Sequence, residues 1–139
     1  MQPVRPGHQV QLLQGGQAFF PALIEDIDRS AHEVRIETYI FSVEAAGEQL
    51  AVALERAAQR GVSVYLVVDG VGTPRIPAEW VTRFNAAGVQ WRIFSPLGRL
   101  CVLIPSRWRR LHRKLCVLDG TVAYCGGINL LDDFYDPNH

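Results

Sequence analysis

The sequence predicts an α/β domain: a largely parallel or mixed sheet flanked by helices and ending in a β-hairpin. Segments with apolar residues at helical spacing alternate with short β-branched or aromatic runs, the pattern of strands joined by crossover helices. The joints between them carry Gly, Pro or Asp-Gly. The chain has 139 residues, 48% of them hydrophobic, which suffices for one compact core and is short for two.

Taken in order, Phe19, Phe20, Leu23, Ile24 and Ile27 recur at helical spacing and predict a helix over 17–30. Residues 34–41 read as a strand rich in β-branched and aromatic side chains. A second helix spans 44–60, with Leu50, Leu54 and Ala58 on one stripe and Gly61 as its stop signal. The strand 62–68 ends at Asp69-Gly70, a turn signal first of all, although an acid at the carboxyl end of a parallel strand also suits a crevice. A helix over 78–87 and a strand over 89–94 follow, then a loop over 96–105. Glu37 and Tyr39 share one face of their strand and read as a buried pair with structural hydrogen bonds.

Lys plus Arg and Asp plus Glu both total 14, so a uniformly basic nucleic-acid coat and an acidic disordered tail are excluded. The zero balance conceals an asymmetry. No acid lies between Glu79 and Asp119, a stretch that holds Arg83, Arg92, Arg99, Arg107, Arg109, Arg110, Arg113 and Lys114 and should prefer an anion. Arg107-Trp108-Arg109-Arg110 reads equally well as a charged loop or as a contact for an anionic lipid surface. No apolar run approaches the roughly 20 residues needed to cross a bilayer. The N-terminus lacks a secretory pattern, so Cys101, Cys116 and Cys125 are expected to be reduced, core or partly buried thiols rather than a zinc cage. His8, His32 and His139 read as ordinary solvated or hydrogen-bonded residues.

The C-terminal region carries the chemistry. Residues 111–118 read as a strand, Asp119-Gly120 as a two-residue hairpin turn, and 121–127 as the returning strand. Pairing Leu118 with Thr121 would set His112 opposite Gly127, Lys114 opposite Cys125 and Arg110 opposite Asn129. His112, Lys114 and Asn129 then project to one side, around the space left by Gly127. An imidazole, the only lysine of the chain and a carboxamide suit a phosphate centre: neutral His112 attacks phosphorus while Lys114 and Asn129 donate to the non-bridging oxygens. Asp119 has the wrong parity for that face on a straight strand, and its default role is to form the turn or bond the residues behind the site.

His112-Arg113-Lys114-Leu115-Cys116-Val117-Leu118-Asp119, with Gly126-Gly127-Ile128-Asn129 after it, resembles the His-x-Lys-x4-Asp-x6-Gly-Ser/Gly-x-Asn motif of the phospholipase D superfamily. Gly-Gly-Ile-Asn is similar to the bacterial cardiolipin synthase branch, as are Phe19 to Leu23, Glu37 to Phe41 and Val67 to Gly70 upstream. The resemblance implies a phospholipase D-like α-β-α sandwich, with His112, Lys114 and Asp119 as the motif's catalytic set and Lys114, Asn129 and Gly127 around the substrate phosphate. It also implies two-step phosphatidyl transfer through a phosphohistidine, with no metal and no cofactor, on an anionic phospholipid at the cytoplasmic side of a bacterial cell membrane, the protein being peripheral.

Family active sites combine two such motifs and this chain holds one. Residues 1–139 are therefore expected to be a single domain, the N-terminal half of a longer two-motif protein or one member of a homodimer. The family also orients its nucleophile with a carboxylate downstream of the asparagine, and Asp132 and Asp133 come too early for that. Two other readings stand beside this one: a single-motif nuclease or phosphodiesterase acting as a homodimer, and an inactive scaffold.

Overall fold

The computed structural model of the chain describes residues 6–96, 98 and 109–130. Residues 15–29 form the helix α1 (Gly15–Arg29), followed by β1 (Glu33–Thr38), α2 (Ala45–Gln59), β2 (Ser63–Asp69), α3 (Ala78–Ala87), β3 (Gln90–Phe94), β4 (Leu115–Leu118) and β5 (Val122–Cys125). Every predicted element is present. Cys101, Arg99, Arg107, Trp108, Asp132, Asp133 and His139 lie outside the described residues, as does most of the loop predicted over 96–105.

The strands form one mixed sheet in the order β3-β2-β1-β4-β5. β1 pairs in parallel with β2, and β2 with β3, while β4 runs antiparallel to β1 and β5 antiparallel to β4. The steps from β1 to β2 to β3 go the same way across the sheet. Right-handed crossovers therefore set α2 and α3 on one face, and α1 packs against α2 there.

Burial alternates accordingly. Val34, Ile36 and Thr38 of β1 and Val64, Leu66 and Val68 of β2 are buried under the helices with Leu23, Ile27, Leu50, Leu54 and Phe84. The intervening positions carry Arg35, Glu37, Tyr65 and Val67, and the guanidinium of Arg35 lies 4.6 Å from the centre of the Tyr65 ring. Among the described residues, no helix covers this second face. No described helix is long and apolar enough to cross a membrane.

The hairpin departs from the predicted register by one residue. Leu118 pairs with Val122 and Leu115 with Cys125, so Lys114 is not opposite Cys125; its carbonyl accepts the N–H of Gly126 at 3.3 Å. Asp119 and Gly120 do adopt the two left-handed conformations of a tight turn, φ 49° and 65°, with the Thr121 N–H donating to the Leu118 carbonyl at 3.0 Å. Thr121 is left as an extra, unpaired residue. The cause is tertiary: the Asp119 N–H donates to the Glu33 carbonyl at 2.9 Å, and its carboxylate is occupied by the chain before β1.

The strand predicted over 111–118 is also shorter than its pattern. β4 begins at Leu115, opposite Glu37, and residues 109–114 approach it without ladder pairing. The strand predicted over 34–41 likewise ends at Thr38, leaving Phe41 in a single parallel bridge to Leu130. Both shortenings open the sheet at the same end.

Of the three cysteines, Cys116 is buried as expected, and burial pushes its thiol up to about 12, which leaves it unreactive. Cys125, by contrast, is exposed. It lies in the register position opposite Leu115, on the face that no described helix covers.

Candidate active site

Buried polar groups gather at the carboxyl ends of β1 and β2. Thr38, Asp69 and Thr73 are all buried there. The Thr38 hydroxyl donates to the Ile40 carbonyl at 2.9 Å, and the Thr73 hydroxyl donates to the Tyr39 carbonyl at 3.2 Å while accepting the Phe41 N–H at 2.8 Å. Each satisfies backbone groups that the sheet no longer pairs. Together they hold residues 39–41 as a platform beside the carboxyl ends of parallel strands, where open α/β sheets place ligands.

His112 and Lys114 stand on this platform. The Tyr39 and His112 rings lie 4.9 Å apart between centroids, tilted by 43°. Lys114 Nζ is 3.3 Å from His112 Nδ1, 3.4 Å from the His112 carbonyl oxygen and 5.8 Å from the centre of the Tyr39 ring. Alternation along an extended segment sends residues 112 and 114 to one side and Arg113 to the other, where Arg113 pairs with Glu37 at 3.4 Å. Among the described residues, no carboxylate lies within 4.0 Å of Lys114 Nζ. An ammonium donates and cannot accept, so Lys114 can bond Nδ1 only when that nitrogen carries no proton.

Asn129 reaches the same platform by another route, its Oδ1 accepting the Ile40 N–H at 3.3 Å. That bond turns the amide so that its NH2 group remains available as a donor. Gly127 is exposed, and a Cβ built on it meets nothing within 4 Å. His112, Lys114, Asn129 and Gly127 therefore lie at one end of the sheet, although Arg110 does not face Asn129 and His112 does not face Gly127 across a ladder.

Asp119 is separated from them. It follows β4 whereas Lys114 precedes it, so the two lie about 17 Å apart along an extended strand. Its Oδ1 accepts the N–H groups of His32 at 2.8 Å and Glu33 at 2.7 Å, and its Oδ2 that of Ala31 at 2.9 Å. These three bonds hold its carboxyl below the usual range. Its carboxylate is thus occupied by the chain before β1, away from His112 and Lys114.

A carboxyl lowered by folding contributes stability that is complete above about pH 4 and lost as pH falls through its folded value. Asp119→Asn is accordingly expected to lower the melting temperature at pH 7 and to flatten the acid limb of the stability curve. Thermal melts from pH 7 to pH 3 check this, and parallel curves for the two proteins would contradict it.

Several other assignments change. Glu37 and Tyr39 are half-buried and unpaired with each other: Glu37 meets Arg113, and Tyr39 backs His112. The basic stretch is partly neutralised within the fold, Arg83 by Glu55 and Arg110 by Asp69 at 3.6 Å. Tyr39 is the neighbour of His112 that the sequence reading missed. Its position, one residue beyond the end of β1, was the available signal.

The sheet order and layering define a phospholipase D-like domain. Nuc from Salmonella typhimurium, a phospholipase D family member of known structure, superposes with a TM-score of 0.56 over 81% of this chain and 64% of that one, at 20% identity, a likeness of fold. A family model described as the phospholipase D-like domain of cardiolipin synthase matches residues 23–139, and the chain belongs to that family. Cardiolipin synthase B of Salmonella typhi is 40% identical over 125 residues, and that of Escherichia coli strain K12 is 38% identical over the same length. In both cases the match covers 90% of this chain and 30% of the relative, so the chain spans less than a third of the curated relatives it matches.

Proposed function

We propose that this chain supplies one half of the active site of a cardiolipin synthase-type phosphatidyltransferase. The observation that carries the reading is the 3.3 Å approach of Lys114 Nζ to His112 Nδ1 at the open end of the sheet, with no described carboxylate neutralising the ammonium. A phosphodiester arriving there draws Lys114 and the Asn129 amide onto its non-bridging oxygens. Attack also requires a lone pair on Nε2, hence a proton on Nδ1 and an acceptor for it. The expected acceptor is a carboxylate outside the described residues.

In the first step His112 Nε2 bonds to phosphorus, and the bond from phosphorus to the departing alcohol oxygen breaks. The histidine of a second motif protonates that oxygen. In the second step that histidine takes the proton of an acceptor hydroxyl, whose oxygen bonds to phosphorus and releases His112. With phosphatidylglycerol as both donor and acceptor, the products are cardiolipin and glycerol. The second motif comes from a following segment of a longer chain or from a second copy of this one. The substrate places the protein at the bacterial cell membrane, held peripherally on its cytoplasmic side.

Mass spectrometry of lipids after incubating the protein, expressed from its whole reading frame, with phosphatidylglycerol vesicles tests the reading. Cardiolipin is the expected product. Phosphatidic acid alone would make the protein a hydrolase. Inert lipid together with cleavage of single-stranded DNA would favour the phosphodiesterase reading instead.

Gly127→Ser is expected to keep activity within a few-fold, because the site has room for the added atoms. Initial rates on the same vesicles check this. Complete loss would mean that the substrate itself fills the space beside Gly127.

A further inference from the structure

Residues 109–114 carry His112 and Lys114, yet apart from the Gly126 N–H bond to the Lys114 carbonyl the sheet does not hold them: ladder pairing begins only at Leu115. Asp69, fully buried at the end of β2, supplies a tie from elsewhere in the chain. Its two oxygens have separate tasks. Oδ1 accepts the N–H groups of Val71 at 2.8 Å and Gly72 at 3.4 Å, closing the turn after β2. A turn needs no more than that. Oδ2 accepts the N–H of Leu111 at 2.7 Å, 42 residues later and immediately before His112. Arg110 Nη1 lies 3.6 Å from Oδ1, so the buried carboxylate has a cation beside it.

The turn that Asp69 closes also packs against Tyr39. Gly72 packs so tightly on Tyr39 that a Cβ would lie 2.3 Å from the Tyr39 carbonyl oxygen, and Thr73 is hydrogen-bonded to that same oxygen. Tyr39 in turn backs the His112 ring.

We propose that Asp69 is a positioning residue for His112, fixing the backbone at Leu111 through one oxygen and the seat of Tyr39 through the turn closed by the other. It touches no reacting atom. Its consequence for turnover rests on the reading of His112 as nucleophile, whereas its consequence for the seating of the imidazole does not.

Proton NMR of the four histidines tests the seating directly. The His112 signals are assigned by their loss in His112→Gln, and the nearby Tyr39 ring displaces them from exposed-histidine positions. Tyr39→Leu removes that displacement and supplies the reference. Asp69→Asn turns an acceptor into an NH2 group facing N–H donors and is expected to abolish at least about half of the displacement. Val64→Ala opens a cavity in the same strand away from the site and should lower the melting temperature while leaving the His112 signals in place. If Asp69→Asn shifts His112 no more than Val64→Ala does, Asp69 merely stabilises the fold and the proposal fails.

Should Asp69→Asn not fold, Leu111→Pro deletes the single donor and leaves the carboxylate and its turn intact. An unmoved His112 signal in that variant overturns the proposal equally. In turnover by the whole protein, Asp69→Asn should lower kcat about 100-fold with KM within about threefold. A raised KM with unchanged kcat would oppose positioning. Absence of turnover in the unsubstituted protein would instead fault the transfer reading, and the NMR result would stand by itself.

Discussion

Replacing His112 with alanine is expected to abolish transfer of phosphorus from phospholipid to protein and to lower turnover by about 10⁴-fold or more. The argument is positional. The imidazole is exposed at the open end of the sheet, backed by Tyr39 and contacted at Nδ1 by the only lysine in the chain, which leaves its far edge toward solvent and an incoming phosphodiester. A covalent intermediate needs a nitrogen that reaches phosphorus, and alanine offers none. Rapid quenching after mixing with phosphorus-labelled phosphatidylglycerol, followed by peptide mass spectrometry, should locate the label on His112 in the unsubstituted protein and nowhere in the variant. A phosphohistidine that persists in His112→Ala would falsify the assignment and move the nucleophile to the second motif.

Lys114→Met should cost about 3 kcal/mol or more of transition-state stabilisation, seen as a fall of about 10²- to 10³-fold in kcat/KM. Methionine keeps much of the stem and removes the charge. The loss follows from the setting: with no described carboxylate beside the ammonium, its field is available to the phosphoryl oxygens as charge builds on them. Lys114→Arg separates charge from shape. A planar guanidinium cannot reproduce a compact ammonium that meets both His112 Nδ1 and the His112 carbonyl, so this variant should recover only part of the rate. Steady-state kinetics on phosphatidylglycerol vesicles decide the matter, and a near-normal rate for Lys114→Met would remove the lysine from the site.

The two variants also differ in what they should do to binding. Lys114→Met removes contacts to both ground state and transition state, so KM should rise along with the fall in kcat. His112→Ala leaves the phosphate donors in place, and lipid binding should survive the loss of chemistry. Vesicle co-sedimentation separates these outcomes.

Among the described residues, the alternation of apolar spacing made the three helices and five strands legible, because burial under a single layer imposes periods that a sequence displays openly. The motif made His112, Lys114 and Asn129 legible in the same way, as residue types at set intervals. The hairpin register was not. Asp119-Gly120 has the composition of a two-residue turn and does form one locally, yet its carboxylate is taken by Ala31, His32 and Glu33, and the ladder slips by one residue. No local rule sees a bond to a partner more than 80 residues away.

That difference divides what each level decided. By itself the sequence determined the elements, the apolar stripes of the helices and the residue types set at the motif's spacing, since all of these depend on intervals along the chain. Only the tertiary structure decided that Asp119 bonds the chain before β1, that Tyr39 backs the imidazole, and that Asp69 reaches Leu111. The last two contacts join the carboxyl ends of β1 and β2 to a segment without ladder pairing. The partner of a buried carboxylate is chosen by whichever unsatisfied N–H the packed chain brings near it.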